Sequence, residues 1–230
     1  MRILALDTST EWLSVAVGDG AAWHARAEHA RAANSERALP VVDAMLADAG
    51  WALRDLDGIA FGAGPGAFTG VRIACSVAQG LAFGADLPVV AVGTLAALAQ
   101  AAWRERGAAR VFACLDARMR EVYVAAYVRE GDVWRTALEP AVLKPDDVRL
   151  PSGNDWRGEG DGFAAYPQLG ALAGLASVTA TAIPHARAIA ELALPELAAG
   201  RGVAAEDARP LYVRHRVALT TAERAAGARL

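Results

Sequence analysis

The chain has 230 residues, 54% of them hydrophobic, which is enough to fill one large domain or two small lobes. Its 23 lysines and arginines stand against 26 aspartates and glutamates, so the net charge is −3 and no long basic run is present. This balance argues against a protein that holds nucleic acid by itself.

The cysteines and the N-terminal residues indicate the cellular compartment of the protein. Cys75 and Cys114 lie in segments predicted to be buried and form no C-x-x-C motif, which indicates a reducing environment and no zinc site. Met1 and Arg2 lead directly into a short strand, and no apolar run reaches the ~18 residues of a membrane helix. We therefore expect no signal peptide, no membrane contact and a cytoplasmic location.

The N-terminal half begins with three predicted antiparallel strands, at Ile3 to Leu6, Leu13 to Val17 and Ala22 to Ala30. A helix follows from Asn34 or Ser35, with apolar residues at three- and four-residue spacing, and Gly50 ends it. Its apolar stripe is wide, so this helix is one candidate for a surface that contacts a partner.

Residues 58–84, GIAFGAGPGAFTGVRIACSVAQGLAFG, predict a strand, a tight glycine-rich loop and a helix. Thr69 can cap that helix, and free N–H groups at its start would attract an anion. With the aspartate that ends the first strand, this gives a possible nucleotide or phosphate site of Asp7, Gly64, Gly66, Thr69 and Gly70. Alternatively, the glycines serve only the geometry of a tight connection.

Two familiar phosphate-binding motifs do not fit this loop. A Walker A loop needs a lysine followed by Ser or Thr, and the stretch contains no lysine. A dinucleotide-binding loop should be answered by an acid at the end of the next strand, where Gly93 and Thr94 stand instead.

The helix after the loop, Val71 to Phe83, is apolar or small around almost its whole circumference. Its small residues at four-residue spacing would let another helix approach closely, while Val77 and Leu81 face the sheet of its own lobe. We expect one face to meet another chain; the alternative is a central helix covered by its own chain. The candidate partner-binding residues on the two helices are Leu39, Val42, Met45, Leu46, Arg72, Ala74, Ala78 and Ala82.

A strand at Pro88 to Val92 and a helix at Thr94 to Arg106 complete an order of elements typical of half an actin-like or ribonuclease-H-like protein. The order starts again with a strand from Arg110 that runs to Asp116. After residue 144 the pattern weakens to loops, a glycine-rich turn at Gly158 to Gly162, a helix at Pro184 to Ala199 and a loosely held tail.

These elements predict an α/β protein with a two-lobed actin-like (ribonuclease-H-like, ASKHA) fold, in which helices flank mixed sheets. The first lobe would span residues 1–106, and a smaller second lobe with the C-terminal tail would span residues 107–230.

Five motifs resemble the bacterial TsaB family and follow its order over nearly the whole chain. They are DTST at 7–10, NSERALP at 34–40, GPGAFTGVRIA at 64–74, LDARMREVY at 115–123 and PLYVR at 210–214. One departure is Asn34, where the family usually has histidine.

The resemblance implies a shortened second lobe and pairing through helices of the first lobe, either as a homodimer or with the paralogue TsaD. It also implies a role in making threonylcarbamoyladenosine (t6A) on transfer RNA. The ATPase TsaE would join the assembly, a separate enzyme would supply threonylcarbamoyl-adenylate, and this chain would meet tRNA only through the complex.

Catalysis by the chain itself has little support in the sequence. The phosphate clamps of actin-like ATPases need a D-x-G turn, but Asp7 and Asp116 are followed by no such glycine. No histidine has a partner four residues away, and no peptidase motif occurs. We predict a non-catalytic scaffold without cofactor or metal. The alternatives are an actin-like ATPase or a nucleotide-binding regulator, either of which would use the Gly64 to Gly70 loop. In these alternatives Asp7 and Asp116 would face the interlobe cleft. Otherwise each is a turn aspartate that accepts hydrogen bonds from nearby backbone N–H groups.

Overall fold

Two five-stranded mixed sheets organise the computed structural model, which describes residues 1–30 and 33–214. The first sheet has the order β3-β2-β1-β4-β5, with β1 Ile3–Asp7, β2 Trp12–Gly18, β3 Trp23–His29, β4 Gly58–Gly64 and β5 Val89–Gly93. The second has the order β8-β7-β6-β9-β10, with β6 Arg110–Asp116, β7 Val122–Glu130, β8 Val133–Leu143, β9 Trp156–Glu159 and β10 Leu175–Thr179.

The two sheets repeat one topology. Outward from β1 and from β6, two antiparallel strands lie on one side and two parallel strands on the other. This confirms the repeated order expected from the sequence. The last two strands were not predicted, because β9 contains Gly158 within a glycine-rich stretch and β10 is mostly exposed, so neither has a clear apolar pattern.

The helices are α1 Asn34–Ala49, α2 Phe68–Ala85, α3 Thr94–Arg106, α4 Gly162–Ala165 and α5 Ala186–Ala198. The second lobe is reduced in its helices. Where α1 has 16 residues between the third and fourth strands, the second lobe has only a 3-10 turn at Pro145–Asp147. The 18 residues of α2 correspond to the four of α4.

Helices α3 and α5 lie between the sheets. Ile189, Ala193 and Leu197 of α5 pack in the same core as Ile3 and Ala5 of the first sheet. The α3 helix contacts α5 on one side and the second sheet on the other. The predicted division at residue 106 therefore separates the two sheets, but α5 returns to the first.

The expected orientation of α2 is wrong, since the small residues predicted to face outward face the sheet instead. Ala74, Ala78 and Ala82 are fully buried in the core of the first lobe, where they pack with the side chains of β4. Val77 and Leu81, expected to face the sheet, are only partly buried. The small alanines face the sheet because they let a helix lie close to it. They cannot contact a partner of the folded chain.

The prediction for α1 is corrected in the same way. Val42 is fully buried, and Met45 and Leu46 are 6% and 7% exposed, so these three residues belong to the core of the first lobe. Leu39 is 48% exposed and stays at the surface, as does half-buried Arg72 of α2.

Within residues 1–30 and 33–214, no helix is both long enough and apolar enough to cross a bilayer. The predicted C-terminal tail, residues 215–230, lies outside the described residues.

Candidate functional site

A cleft of about 1490 Å³ lies between the lobes. One wall is formed by the turn after β1 and the loop that leads into α2, and the opposite wall by the turn after β6. Residues 211–214 also line it. Because β1 and β6 are equivalent strands of the two repeats, their carboxyl ends meet here, where open α/β sheets bind ligands.

Asp7 does not line this cleft. Its side chain is 1% exposed, and Oδ1 accepts hydrogen bonds from the Ser9 N–H at 3.1 Å and the Ser9 hydroxyl at 2.8 Å. Oδ2 has no hydrogen-bond partner among the described residues and lies against Gly62, where a Cβ would overlap it. Burial raises the pKa of Asp7 to about 7. These are the hydrogen bonds of a turn aspartate to its own turn.

The glycine-rich loop is packed against its own chain. A Cβ on Gly66 would lie 2.5 Å from the Ser9 carbonyl oxygen, and one on Gly70 would overlap the Thr8 carbonyl oxygen. The Ala67 N–H donates to the Ser9 carbonyl at 2.7 Å, and the Thr8 hydroxyl donates to the Gly70 carbonyl at 2.7 Å. These glycines allow the close approach of two backbone segments.

The five residues of the possible phosphate site are therefore only partly brought together. Gly66, Thr69 and Gly70 line the cleft, whereas Asp7 is buried behind it and Gly64, with φ 108°, belongs to the end of β4. Thr69 does not cap α2, since the helix starts earlier, at Phe68, with Ala67 as its N-cap and no side-chain cap bond.

Asp116 reaches the cleft, and its carboxylate is already paired. It accepts the Arg118 N–H at 2.9 Å and the Arg118 guanidinium at 3.0 Å. Its own N–H donates to Asp161 Oδ1 at 2.9 Å, while burial raises the pKa of Asp161. In the part of the chain that the structure describes, no group of three or more His, Cys, Asp or Glu side chains could hold a metal ion.

Asn34, where the resemblance led us to expect histidine, lies on the cleft wall at the start of α1. It is 5% exposed, and its Nδ2 donates to the Thr10 carbonyl at 3.4 Å. Its Oδ1 is buried without a partner among the described residues.

A second feature is the α2 face, the exposed side of α2 formed by Ser76, Gly80, Phe83 and Gly84. Apart from the local backbone of α2, no atom of the described residues lies within 4 Å of where a Cβ on Gly80 or Gly84 would stand. A glycine inside a helix costs about 1 kcal/mol of stability relative to alanine. Since no close contact within the chain requires glycine at position 80 or 84, packing within the chain does not explain these two residues. The two glycines four residues apart in an alanine-rich helix are the signal that the sequence analysis missed.

Large apolar side chains are exposed on this face, at the start of α2 and on α1. Phe83 is 79% exposed, Phe68 is 59% exposed, and Leu39 of the neighbouring α1 is 48% exposed. The Arg72 guanidinium lies 3.3 Å from the centre of the Phe68 ring, which is a cation–π contact. Small residues flanked by exposed aromatic rings are typical of a surface that another helix covers.

These features define a protein of the two-lobed actin-like class in which the phosphate clamps are missing. A family model described as "TsaD: tRNA N6-adenosine threonylcarbamoyltransferase" matches residues 26–218. TsaB of Escherichia coli (strain K12), a tRNA threonylcarbamoyladenosine biosynthesis protein, is 44% identical over 95% of this chain and 96% of its own length. TsaB of Haemophilus influenzae is 41% identical over 94% of this chain and 95% of its own length. The chain belongs to the TsaB family.

Solved structures agree with the fold. The structure described as YeaZ from Pseudomonas aeruginosa has a TM-score of 0.86, is 46% identical, and is matched over 92% of this chain and 99% of its own. A second structure from that organism, described as an uncharacterized protein with similarity to peptidase YEAZ, has a TM-score of 0.87 at 45% identity, over 93% of this chain and 99% of its own.

Proposed function

We propose that the chain is a non-catalytic subunit of the bacterial machinery that makes t6A on tRNA, and that it binds and activates TsaD. Its relatives are named as biosynthesis proteins of this modification. The single observation that carries the binding proposal is the α2 face, where Gly80 and Gly84 are exposed with open space above them.

The partner surface is built from two adjacent helices. The backbone of α2 is bare at Gly80 and Gly84, so a helix of TsaD can approach it closely, and Phe83 supplies an apolar contact beside them. Phe68 at the start of α2 and Leu39 of α1 are further exposed apolar side chains that a larger interface would cover. Buried aromatic anchors contribute most of the free energy in such interfaces. When TsaD is absent, the same face pairs two copies of this chain.

Activation follows from linkage. A subunit that binds one conformation of TsaD better than another shifts the population toward the form it prefers, here the form competent to transfer the threonylcarbamoyl group. TsaE joins the larger assembly, and tRNA is held by the complex rather than by this chain, whose net charge is −3. All these events take place in the cytoplasm.

Two further observations support a non-catalytic role. The Asp7 carboxyl is buried and the loop glycines pack on the turn at Thr8 and Ser9, so no backbone cradle is left for a phosphate next to a carboxylate. Asp116 is engaged by Arg118.

The test is Gly80→Arg, which places a long charged side chain in the centre of the α2 face. Because no atom of the described residues beyond the local helix backbone lies within 4 Å of that Cβ position, the lone chain should keep its circular dichroism spectrum, and its thermal midpoint should not fall. Co-purification with TsaD should be lost. Gly170→Arg is the matched control, since Gly170 is also exposed, has no atom of the described residues beyond its local backbone within 4 Å of its Cβ position, and belongs to the second lobe. Unchanged TsaD binding by Gly80→Arg would refute the proposed surface.

A further inference from the structure

The PLYVR motif belongs to a segment that connects the two lobes across the cleft. Residues 203–214, here called the strap, begin beside the end of α2, where Val203 and Val89 exchange backbone hydrogen bonds of 2.9 Å in both directions. The strap then follows α2. The Ala208 carbonyl accepts from Gln79 Nε2 at 3.2 Å and from the Cys75 thiol at 3.6 Å.

At the cleft the strap leaves the first lobe. The Leu211 N–H donates to the Ala63 carbonyl of β4 at 2.8 Å, and among the described residues no backbone bond from a later residue reaches the first sheet. The next side chain, Tyr212, places its ring 5.2 Å from the Arg72 guanidinium at the start of α2. Val213 already packs in the core of the second lobe.

Arg214 attaches the strap to the second lobe. Its guanidinium donates to Glu121 Oε2 at 2.5 Å, to the Ala117 carbonyl at 3.1 Å and to the Met119 sulfur at 3.4 Å, and it lies 5.7 Å from the Tyr123 ring. The side chain is only 11% exposed. Charge-assisted bonds in such a place are stronger than those of a solvated pair.

The turn that Arg214 holds has an unusual backbone. Arg118, Met119 and Arg120 have φ values of 58°, 54° and 62°, a left-handed conformation that residues other than glycine rarely adopt consecutively. The turn is closed by the Ala117 N–H donating to the Glu121 carbonyl and the Glu121 N–H donating to the Arg118 carbonyl, both at 3.0 Å. Such backbone persists only where surrounding contacts stabilise it, and Arg214 bonds both ends of this turn.

The other links between the lobes lie elsewhere or are weak. On the α3 side, Gln100 joins Glu191 of α5 to Trp134 of β8 through hydrogen bonds of 2.9 Å each. Across the cleft mouth, Arg118 and Glu11 are 3.8 Å apart, but their side chains are 77% and 63% exposed, so this pair contributes little. Among the described residues, the strap is the well-bonded connection at the cleft.

We propose that the strap fixes the opening of the interlobe cleft and couples the turn after β6 to the start of α2, with Arg214 as its attachment point. Loosening Arg214 frees the second lobe to rotate about the packed α3 and α5 helices. It also releases Tyr212 and, through it, Arg72. This conformational role concerns the chain alone and does not depend on binding to TsaD.

The experiment measures the distance between the lobes. Spin labels are attached to Glu36→Cys in α1 and Gln168→Cys in the second lobe, both exposed positions, while the native Cys75 and Cys114 are buried. Pulsed electron resonance compares the distance distribution with and without Arg214→Met, which keeps an unbranched apolar chain but removes the charge and the donors. Arg118→Gln is the matched control, an arginine of the same turn that is exposed.

Arg214→Met should give a broader distribution with a longer mean than the parent, whereas Arg118→Gln should leave it unchanged. Glu121→Gln, which keeps the shape of the side chain, should shift the distribution in the same direction by less. Identical distributions for Arg214→Met and the parent would overturn the proposal, as would equal broadening by Arg118→Gln. Circular dichroism identifies a variant that has not folded, and in that case Glu121→Gln alone decides.

Discussion

Replacing a glycine of the α2 face by alanine should raise the stability of the lone chain and weaken its binding to TsaD. Gly80 lies in the interior of α2, and no atom of the described residues beyond the local helix backbone lies within 4 Å of its missing Cβ, so Gly80→Ala adds a methyl group without a clash. The helix gains about 1 kcal/mol of stability, because glycine loses more backbone entropy on folding than alanine does. Gly84→Ala should add less, since Gly84 lies in the last turn.

The assay has two parts. Urea unfolding of the chain alone, at a concentration low enough to keep it monomeric, should give Gly80→Ala a free energy of unfolding higher by about 1 kcal/mol. For a chain of this size, that corresponds to a thermal midpoint higher by roughly 2–4 °C. Titration with TsaD should give a weaker affinity, because the added methyl groups hold the partner helix away from the α2 backbone.

The control is the same substitution elsewhere in α2. Gly70→Ala would place its Cβ on the Thr8 carbonyl oxygen, so it should destabilise the chain even though alanine is the better helix former at this position too. If Gly80→Ala lowers stability, its surroundings are not open. If it raises stability and leaves TsaD affinity unchanged, the glycines are not there for the approach of a partner, and the reasoning about the α2 face fails.

The other two predictions concern Asp7 and nucleotide binding. Burial raises the pKa of Asp7 from 3.8 to about 7, so the folded state binds the proton more tightly than the unfolded state. This group's contribution to stability should therefore be complete below about pH 4 and fall as the pH rises toward 7, by up to ~4 kcal/mol at ~1.4 kcal/mol per pKa unit. Asp7→Asn should remove that dependence. Urea unfolding of the parent and the variant at pH 5 and pH 8 checks it, because the parent should lose stability relative to the variant between the two pH values. The same change in the free energy of unfolding for both proteins would contradict the prediction. Calorimetric titration of the chain with ATP and magnesium should give no saturable heat and a phosphate-release assay no turnover, whereas saturable binding would support the nucleotide-binding alternative.

Much of the fold could be predicted from local sequence. The apolar run Ile3 to Leu6 is continuous because β1 lies in the middle of its sheet and is covered on both faces. Helix α3 was predicted with its observed ends, Thr94 and Arg106, and Gly107 follows it in a left-handed conformation. The missing D-x-G turns and the family motifs are also local, so they too could be recognised without coordinates.

The rotation of α2 was decided by tertiary structure. A helix that is apolar or small on every side has no periodic pattern to tell its inner face from its outer face. Ala78 and Gly80 are both small, and only packing distinguishes them: Ala78 fills the space next to the sheet and is fully buried, while Gly80 remains in the open.

Contacts between distant segments were likewise decided only by the folded chain. The sequence indicated that Asp7 ends a strand, but its burial depends on Gly62, 55 residues away, whose missing side chain leaves room for the carboxyl group. Arg214 meets Glu121 and α5 returns to the first sheet for the same reason, since these pairs are far apart in the chain and no local pattern joins them. The sequence by itself determined the elements, their repetition and the family. The tertiary structure decided which surfaces are left exposed and which residues hold the two lobes together.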